Sequence, residues 1–309
     1  MNQQIESERN RGTGSETRAG HENFQKEDDT DTFFKDIVHT FRKNHTAMAG
    51  LIMVLFLVFV AVFGPVISPH DPYRVELDEQ LLPPSQTYWL GTDKFGRDLL
   101  TRIVYGSRIS LMVGLVPSFI SMFLGTFMGI ISGYYGGKID FAIMRLADVM
   151  IAFPSLLLAM VVMYTLGATL FNIFIALSLV GWAGTARVVR SQTLALKEKE
   201  FVEAARAIGV RKSVIMVRHI LPNCMPVLIV LFSLGIPEAI MYESSLSFLG
   251  VGAQPPTPSW GLLVSRGKAY LFSAPWVAIM PGVAILITVM AFNFMGDGLR
   301  DALDPYMKD

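Results

Sequence analysis

Few side chains in this sequence are of a kind that does chemistry, and their spacing limits what that chemistry can be. The stretch Lys199 to Gly209 reads K-E-F-V-E-A-A-R-A-I-G. Phe201, Val202, Ala205 and Ile208 fall on one stripe of a short helix, with Glu203 and Arg206 off it. Gly209 is placed to end that helix in a left-handed conformation. Small residues at Ala204 and Ala205 permit close approach by another surface, and Glu203 offers a charge to a helix terminus or a basic partner. Ser213 would cap a following turn, and Leu221-Pro222 would open the next helix. Such a segment docks; it does not catalyse. Periodicity alone leaves open, and slightly favours, a helix resting on lipid headgroups.

Two other sets of charged residues stand out. Asp93, Arg97, Asp98 and Arg102 combine a glycine turn, an Asx-type cap and Arg–Asp spacings of three or four. They either tie a loop together or offer a surface to another protein. Glu238 and Glu243 sit near the end of an apolar run. They either reach water or face a helix bundle, where they would line a path or hold helices together.

The rest is exclusion. The five histidines, His21, His39, His45, His70 and His219, are scattered, and Cys224 is the single cysteine, so no metal site is indicated. No G-x4-G-K-[ST] loop occurs; Gly267-Lys268-Ala269 lacks the preceding glycine pattern and the hydroxyl. No G-x-S-x-G elbow occurs either. The chain is read as no enzyme, with no catalytic, cofactor-binding or metal residue of its own.

The elements that must carry these residues are membrane spans. Of 309 residues, 52% are hydrophobic and only 17% charged, against about a quarter in an average soluble domain. Net charge is zero, which gives no basic surface for nucleic acid. A tail over 1–45, polar and disordered in its first 32 residues, precedes spans near 46–69, 109–135, 141–166, 170–187, 220–241 and 275–296. An external loop covers 70–106, a second long loop covers 243–270, a loop of 188–219 carries the docking segment, and 298–309 is a second tail. The fold class is an all-α integral membrane protein with six transmembrane helices. With the N-terminus inside, 14 near-membrane Lys and Arg residues lie inside and 7 outside, which predicts N-in and C-in. Span interiors hold almost no ionisable groups, unlike those of an ion-coupled carrier. A path of that kind would hold its cargo weakly.

Glu203-Ala204-Ala205, Gly209 and Leu221-Pro222 together resemble the EAA motif of ABC importer permeases. The usual Ile two residues before the Leu is replaced by His219. Arg218-His219-Ile220-Leu221-Pro222-Asn223 instead resembles the peptide-importer branch. Three further stretches resemble the C-type permease of dipeptide and oligopeptide importers: Leu90 to Asp98 with Thr101-Arg102 and Gly106 to Ser110, Glu243 to Gly252 with Pro258 to Gly261, and Gly296 to Pro305. The resemblance covers about Thr46 to Pro305. It implies the type I importer permease fold in a bacterial cytoplasmic membrane. Glu203, Ala204, Ala205, Gly209, Leu221 and Pro222 would couple to an ATPase. Asp93, Arg97, Asp98 and Arg102 would meet an external binding protein, and Glu238 and Glu243 would serve a gate or path. The implied partners are a homologous permease, in a heterodimer, two ATP-binding subunits that use ATP and Mg, and an external substrate-binding protein. Dipeptides, oligopeptides, glutathione and nickel chelates all remain open as cargo.

Overall fold

The protein, represented by a computed structural model, is described over residues 36–303. The tail reading for 1–35 and the last residues, 304–309, lie outside this range. Residues 36–43 are helical, and Asn44 then caps α1 (His45–Ile67) by accepting from the Thr46 and Ala47 N–H groups. One side of α1 (Phe56, Phe59, Phe63, Val66) is exposed and apolar. Such a face suits hydrocarbon, where helices satisfy their own backbone. Pro65 cannot donate to the Ala61 carbonyl, one turn back. Arg108, from the neighbouring helix, supplies the missing donor: its Nε lies 2.6 Å from Ala61 O and its Nη2 2.8 Å from Val62 O.

That neighbour is α2 (Leu99–Tyr135), 37 residues long. At 1.5 Å per residue it reaches about 55 Å, far more than the ~30 Å hydrocarbon layer. The extra turns absorb Leu99 to Arg108, so part of the stretch read as the loop 70–106 is helix. The loop's remaining ordered core turns on Gly91 and Gly96, both at positive φ.

Two helices follow where one span over 141–166 was expected. α3 (Gly137–Ala152) and α4 (Ser155–Leu166) meet at 92°. The cause is Pro154, which holds Phe153 in extended backbone (φ −85°, ψ 140°) and stops the helix before it. α5 (Leu170–Lys197) then runs parallel to α2 at close range. Gly125, Gly129 and Gly133 form a four-residue repeat along that seam. A Cβ on Gly129 would stand 2.6 Å from the Ala186 carbonyl oxygen, so no larger residue fits without moving backbone.

α6 (Glu200–Ala207) and α7 (Lys212–Ile215) complete the loop after α5. A π-helical turn, Met216–Ile220, leads into α8 (Leu221–Phe248). Pro222 lies at the junction, and the wide turn relieves the clash its ring would make with a normal ladder. α9 (Trp260–Gly267) and α10 (Trp276–Leu303) close the chain. Asn44 Nδ2 donates to Asp301 Oδ2 at 3.3 Å, joining the start of α1 to the end of α10.

Among the described residues, five helical segments are long and apolar enough to cross a membrane, and the bent α3–α4 pair makes a sixth if counted as one span. The α6–α7 loop lies at one end of this bundle, and the segments before α2 and between α8 and α10 lie at the other.

Candidate functional site

The docking segment is a short helix with a sharp corner. The Val210 N–H reaches Ala205 O and the Gly209 N–H reaches Arg206 O, each at 3.0 Å, with Gly209 at φ +77°. This paired closure is the Schellman motif. Nothing lies within 4 Å of where a Cβ on Gly209 would project, so glycine is needed there for its backbone angle alone. Val202 and Ala205 pin α6 to a core of Ile130, Tyr134, Val189, Ile215 and Ile220.

The apolar stripe is narrower than periodicity suggested. Phe201 is part-exposed and Ile208 is 81% exposed. They lie about 80° round the helix from the Val202–Ala205 edge, and only that edge meets the core. Glu203, Ala204, Ile208 and Gly209 therefore stand out from the bundle as a knob. The corner beyond is capped differently from expectation. Arg211 is the cap position of α7 and makes no side-chain cap bond, while Ser213 is already inside the helix. Leu221 packs on the same core, and Pro222 is exposed beside it.

Between α2, α5 and α8 lies a cavity of about 460 Å³. Ser118, Ser121, Thr185 and Tyr242 give it polar lining, and Glu238 is the one carboxylic side chain among the residues that line it. Glu243, five residues on, does not line it. Its carboxylate is 1% exposed and accepts from Ser247 Oγ at 2.7 Å and Ser259 Oγ at 2.9 Å. Two acids that look alike in sequence thus have separate places, one on the cavity and one inside the packing between α8 and α9.

The Asp93–Arg102 cluster is internal. Asp93 accepts from the Phe95 and Arg97 N–H groups at 2.8 and 3.2 Å and from Arg97 Nε at 2.8 Å. Arg97 Nη2 closes the pair at 2.6 Å, and Arg102 Nε approaches the same carboxylate at 3.5 Å. Arg102 also donates to Pro72 O at 2.9 Å. Asp98 caps α2 by accepting from the Thr101 N–H at 2.9 Å. All four residues are buried, between 1% and 7% exposed. Their burial favours the reading in which they tie the loop together over that of a contact surface: Asp93 pairs with Arg97 and Arg102, Asp98 caps α2, and Arg102 holds the loop through Pro72. Nearby Arg266 has its pKa lowered by burial and by the Arg97 charge.

Sequence reading missed the glycine seam, although its four-residue spacing is visible. It also missed Ser247 and Ser259 as partners of Glu243. The four-residue spacing to Ser247 is visible on one helix, but no local pattern links Glu243 to Ser259, 16 residues on through a loop.

Comparison with known proteins accounts for this arrangement. Residues 125–309 match the family described as "Binding-protein-dependent transport system inner membrane component", and residues 32–84 match the "N-terminal TM domain of oligopeptide transport permease C". The chain is 43% identical to the dipeptide transport system permease protein DppC of Bacillus subtilis, over 90% of this chain and 87% of that protein. It is also 43% identical to the glutathione transport system permease protein GsiD of Escherichia coli, over 92% of this chain and 94% of that one. In fold it is similar to a chain of the MetNI methionine ABC transporter, with a TM-score of 0.55 and 19% identity over 67% of this chain and 98% of that chain. The chain belongs to the ABC permease family of binding-protein-dependent inner-membrane transport components, in its DppC- and GsiD-like branch.

Proposed function

We propose that this chain forms, with a homologous permease, the path by which an ABC importer carries peptides across the cytoplasmic membrane. The α6 knob is the coupling element: Glu203, Ala204, Ala205 and Gly209 fit a socket on an ATP-binding subunit, with Leu221 and Pro222 as the hinge to α8. That end of the bundle faces the cytoplasm, as do both termini. ATP and Mg are used by two partner subunits, and an external binding protein delivers cargo at the opposite end. One observation carries the reading. A knob pinned to the core through Val202 and Ala205 presents Ile208 at 81% exposure, an apolar surface in need of a partner.

Mechanically, the knob is joined through its core contacts to the ends of α2 and α5 and through the π turn to α8. These three helices line the cavity. Movement of the knob with closing ATPases would tilt the helices that bound the path. Among the path residues Glu238 would meet cargo, whereas Glu243 would hold the outer ends of α8 and α9 together. Peptide cargo is supported by the names of the DppC and GsiD relatives; glutathione is itself a tripeptide, so both names point to one chemical class.

Proteoliposomes containing this permease, its partner permease and the ATP-binding subunits test the reading. With binding protein outside and ATP inside, labelled dipeptide should accumulate. Peptide-independent accumulation of another solute class in the same vesicles would overturn the cargo assignment. A cysteine introduced at Ala207 and labelled only from the external face of intact cells would overturn the orientation.

A further inference from the structure

A second recess lies at the knob end of the bundle, apart from the cavity. It is about 270 Å³ and is bounded by Tyr134, Tyr135, Lys197, Arg206 and Lys212. Each comes from the terminus of a different element or from the knob: the tyrosines end α2, Lys197 ends α5, Arg206 lies in α6 and Lys212 begins α7. Three cations therefore converge on one small space. The Arg206 guanidinium stacks 5.4 Å from the Tyr134 ring, and the Lys212 ammonium lies 5.7 Å from that of Tyr135. These ring contacts orient the cations without neutralising them. Among the described residues none of the three makes an ion pair, although Glu198, Glu200 and Glu203 are close in sequence.

We propose that this recess binds a phosphate-bearing anion, and that a membrane phospholipid headgroup supplies it. The chemistry is that of a phosphate: two ammonium groups and a guanidinium around a site with phenols at its wall. The depth argues for lipid. Tyr135, exposed at the end of the long apolar helix α2, is placed as an interfacial tyrosine at the headgroup level, with Tyr134 buried behind it. The anionic leaflet on the cytoplasmic side attracts clustered Lys and Arg there. A bound headgroup would bridge α2, α5, the knob and α7, and so fix the knob's angle against the core. The choice of leaflet rests on the orientation given above. Lipid retention itself depends on neither cargo nor coupling, so an importer of other cargo would still show it.

The test uses the full complex with its partner subunits in nanodiscs of phosphatidylcholine with a minor share of phosphatidylglycerol. Native mass spectrometry counts the lipid retained. The complex should retain phosphatidylglycerol about ten-fold over its share of the bilayer, and the Lys197→Gln/Lys212→Gln variant should lose that enrichment. Lys197→Arg/Lys212→Arg should keep it, which separates charge from folding. Arg42→Gln/Lys43→Gln, at a different basic patch, should also keep it. Equal retention by wild type and the double Gln variant, or equal loss from the Arg42/Lys43 variant, would overturn the proposal. Millimolar inorganic phosphate provides the second arm. Displacement of the lipid from the wild type alone supports the phosphate site. Phosphate binding without any lipid enrichment overturns the lipid as its source.

Discussion

The Ser259 hydroxyl donates to Glu243 Oε1 at 2.9 Å while its oxygen accepts from the Leu262 N–H at 3.1 Å. One side chain thus caps α9 and anchors it to α8, and the two helix ends cannot separate without breaking the Ser259–Glu243 bond. Glu243 Oε2 has no hydrogen-bond partner and faces Gly261, where a Cβ would lie 2.7 Å from it.

Glu243→Ala should leave the Ser247 and Ser259 hydroxyls short of an acceptor inside the packing. The expected loss is about 1–3 kcal/mol of stability, with Ser259→Ala somewhat milder because only one bond and the cap disappear. Thermal denaturation of the purified complex measures both. A midpoint for Glu243→Ala equal to wild type would show that the α8–α9 junction does not depend on this carboxylate.

At Gly209 the φ of +77° sets the knob's corner. Gly209→Val should strain that corner by about 1–3 kcal/mol while the spans still insert, and ligand-stimulated ATPase activity should fall. Gly209→Asn should retain most of it, since Asn tolerates the left-handed region. Normal stimulated ATPase in reconstituted Gly209→Val complexes would sink the coupling role.

Glu238 is the one charged group on the cavity. Glu238→Gln should slow uptake of a Lys-containing dipeptide by about ten-fold, the worth of one charge-assisted bond, and leave a neutral dipeptide nearly unchanged. Exchanging the external binding protein, by contrast, should change side-chain preference while the permease stays the same. Equal effects of Glu238→Gln on both dipeptides would remove it from the path.

Tyr88 reports on the loop that precedes α2. Its phenol donates to the Glu79 carboxylate, which raises its pKa to about 12, with burial adding to the effect. The folded loop therefore holds the proton more tightly than the unfolded chain, whose phenol titrates near about 10. The stabilisation is complete below that value and is lost as pH rises toward 12. Phenolate absorbance in wild type minus Tyr88→Phe should show the high midpoint, and Glu79→Gln should bring it down. A wild-type midpoint at the ordinary value would mean the bond does not form.

The membrane class, the apolar runs and the helix-then-glycine corner at 200–209 were legible in the residues, because hydropathy and backbone preference act locally. Gly209 needs its φ whatever surrounds it, and a long apolar run has few places to go but lipid. Tertiary structure decided what local rules cannot reach. Pro154 bent one expected span, because the break depends on two residues and not on hydropathy. Asp93, Arg97, Asp98 and Arg102 turned inward, because the pairing of Asp93 with the two arginines and the cap that Asp98 makes to Thr101 offset desolvation only once the loop has folded on α2. Burial depends on long-range packing: it sent Glu238 to the cavity and Glu243 to two serines, and it chose Val202 and Ala205 over Phe201 and Ile208 as the knob's buried edge. The type of residue was written in the chain, but the direction each side chain faced required the neighbours that only the folded bundle supplies.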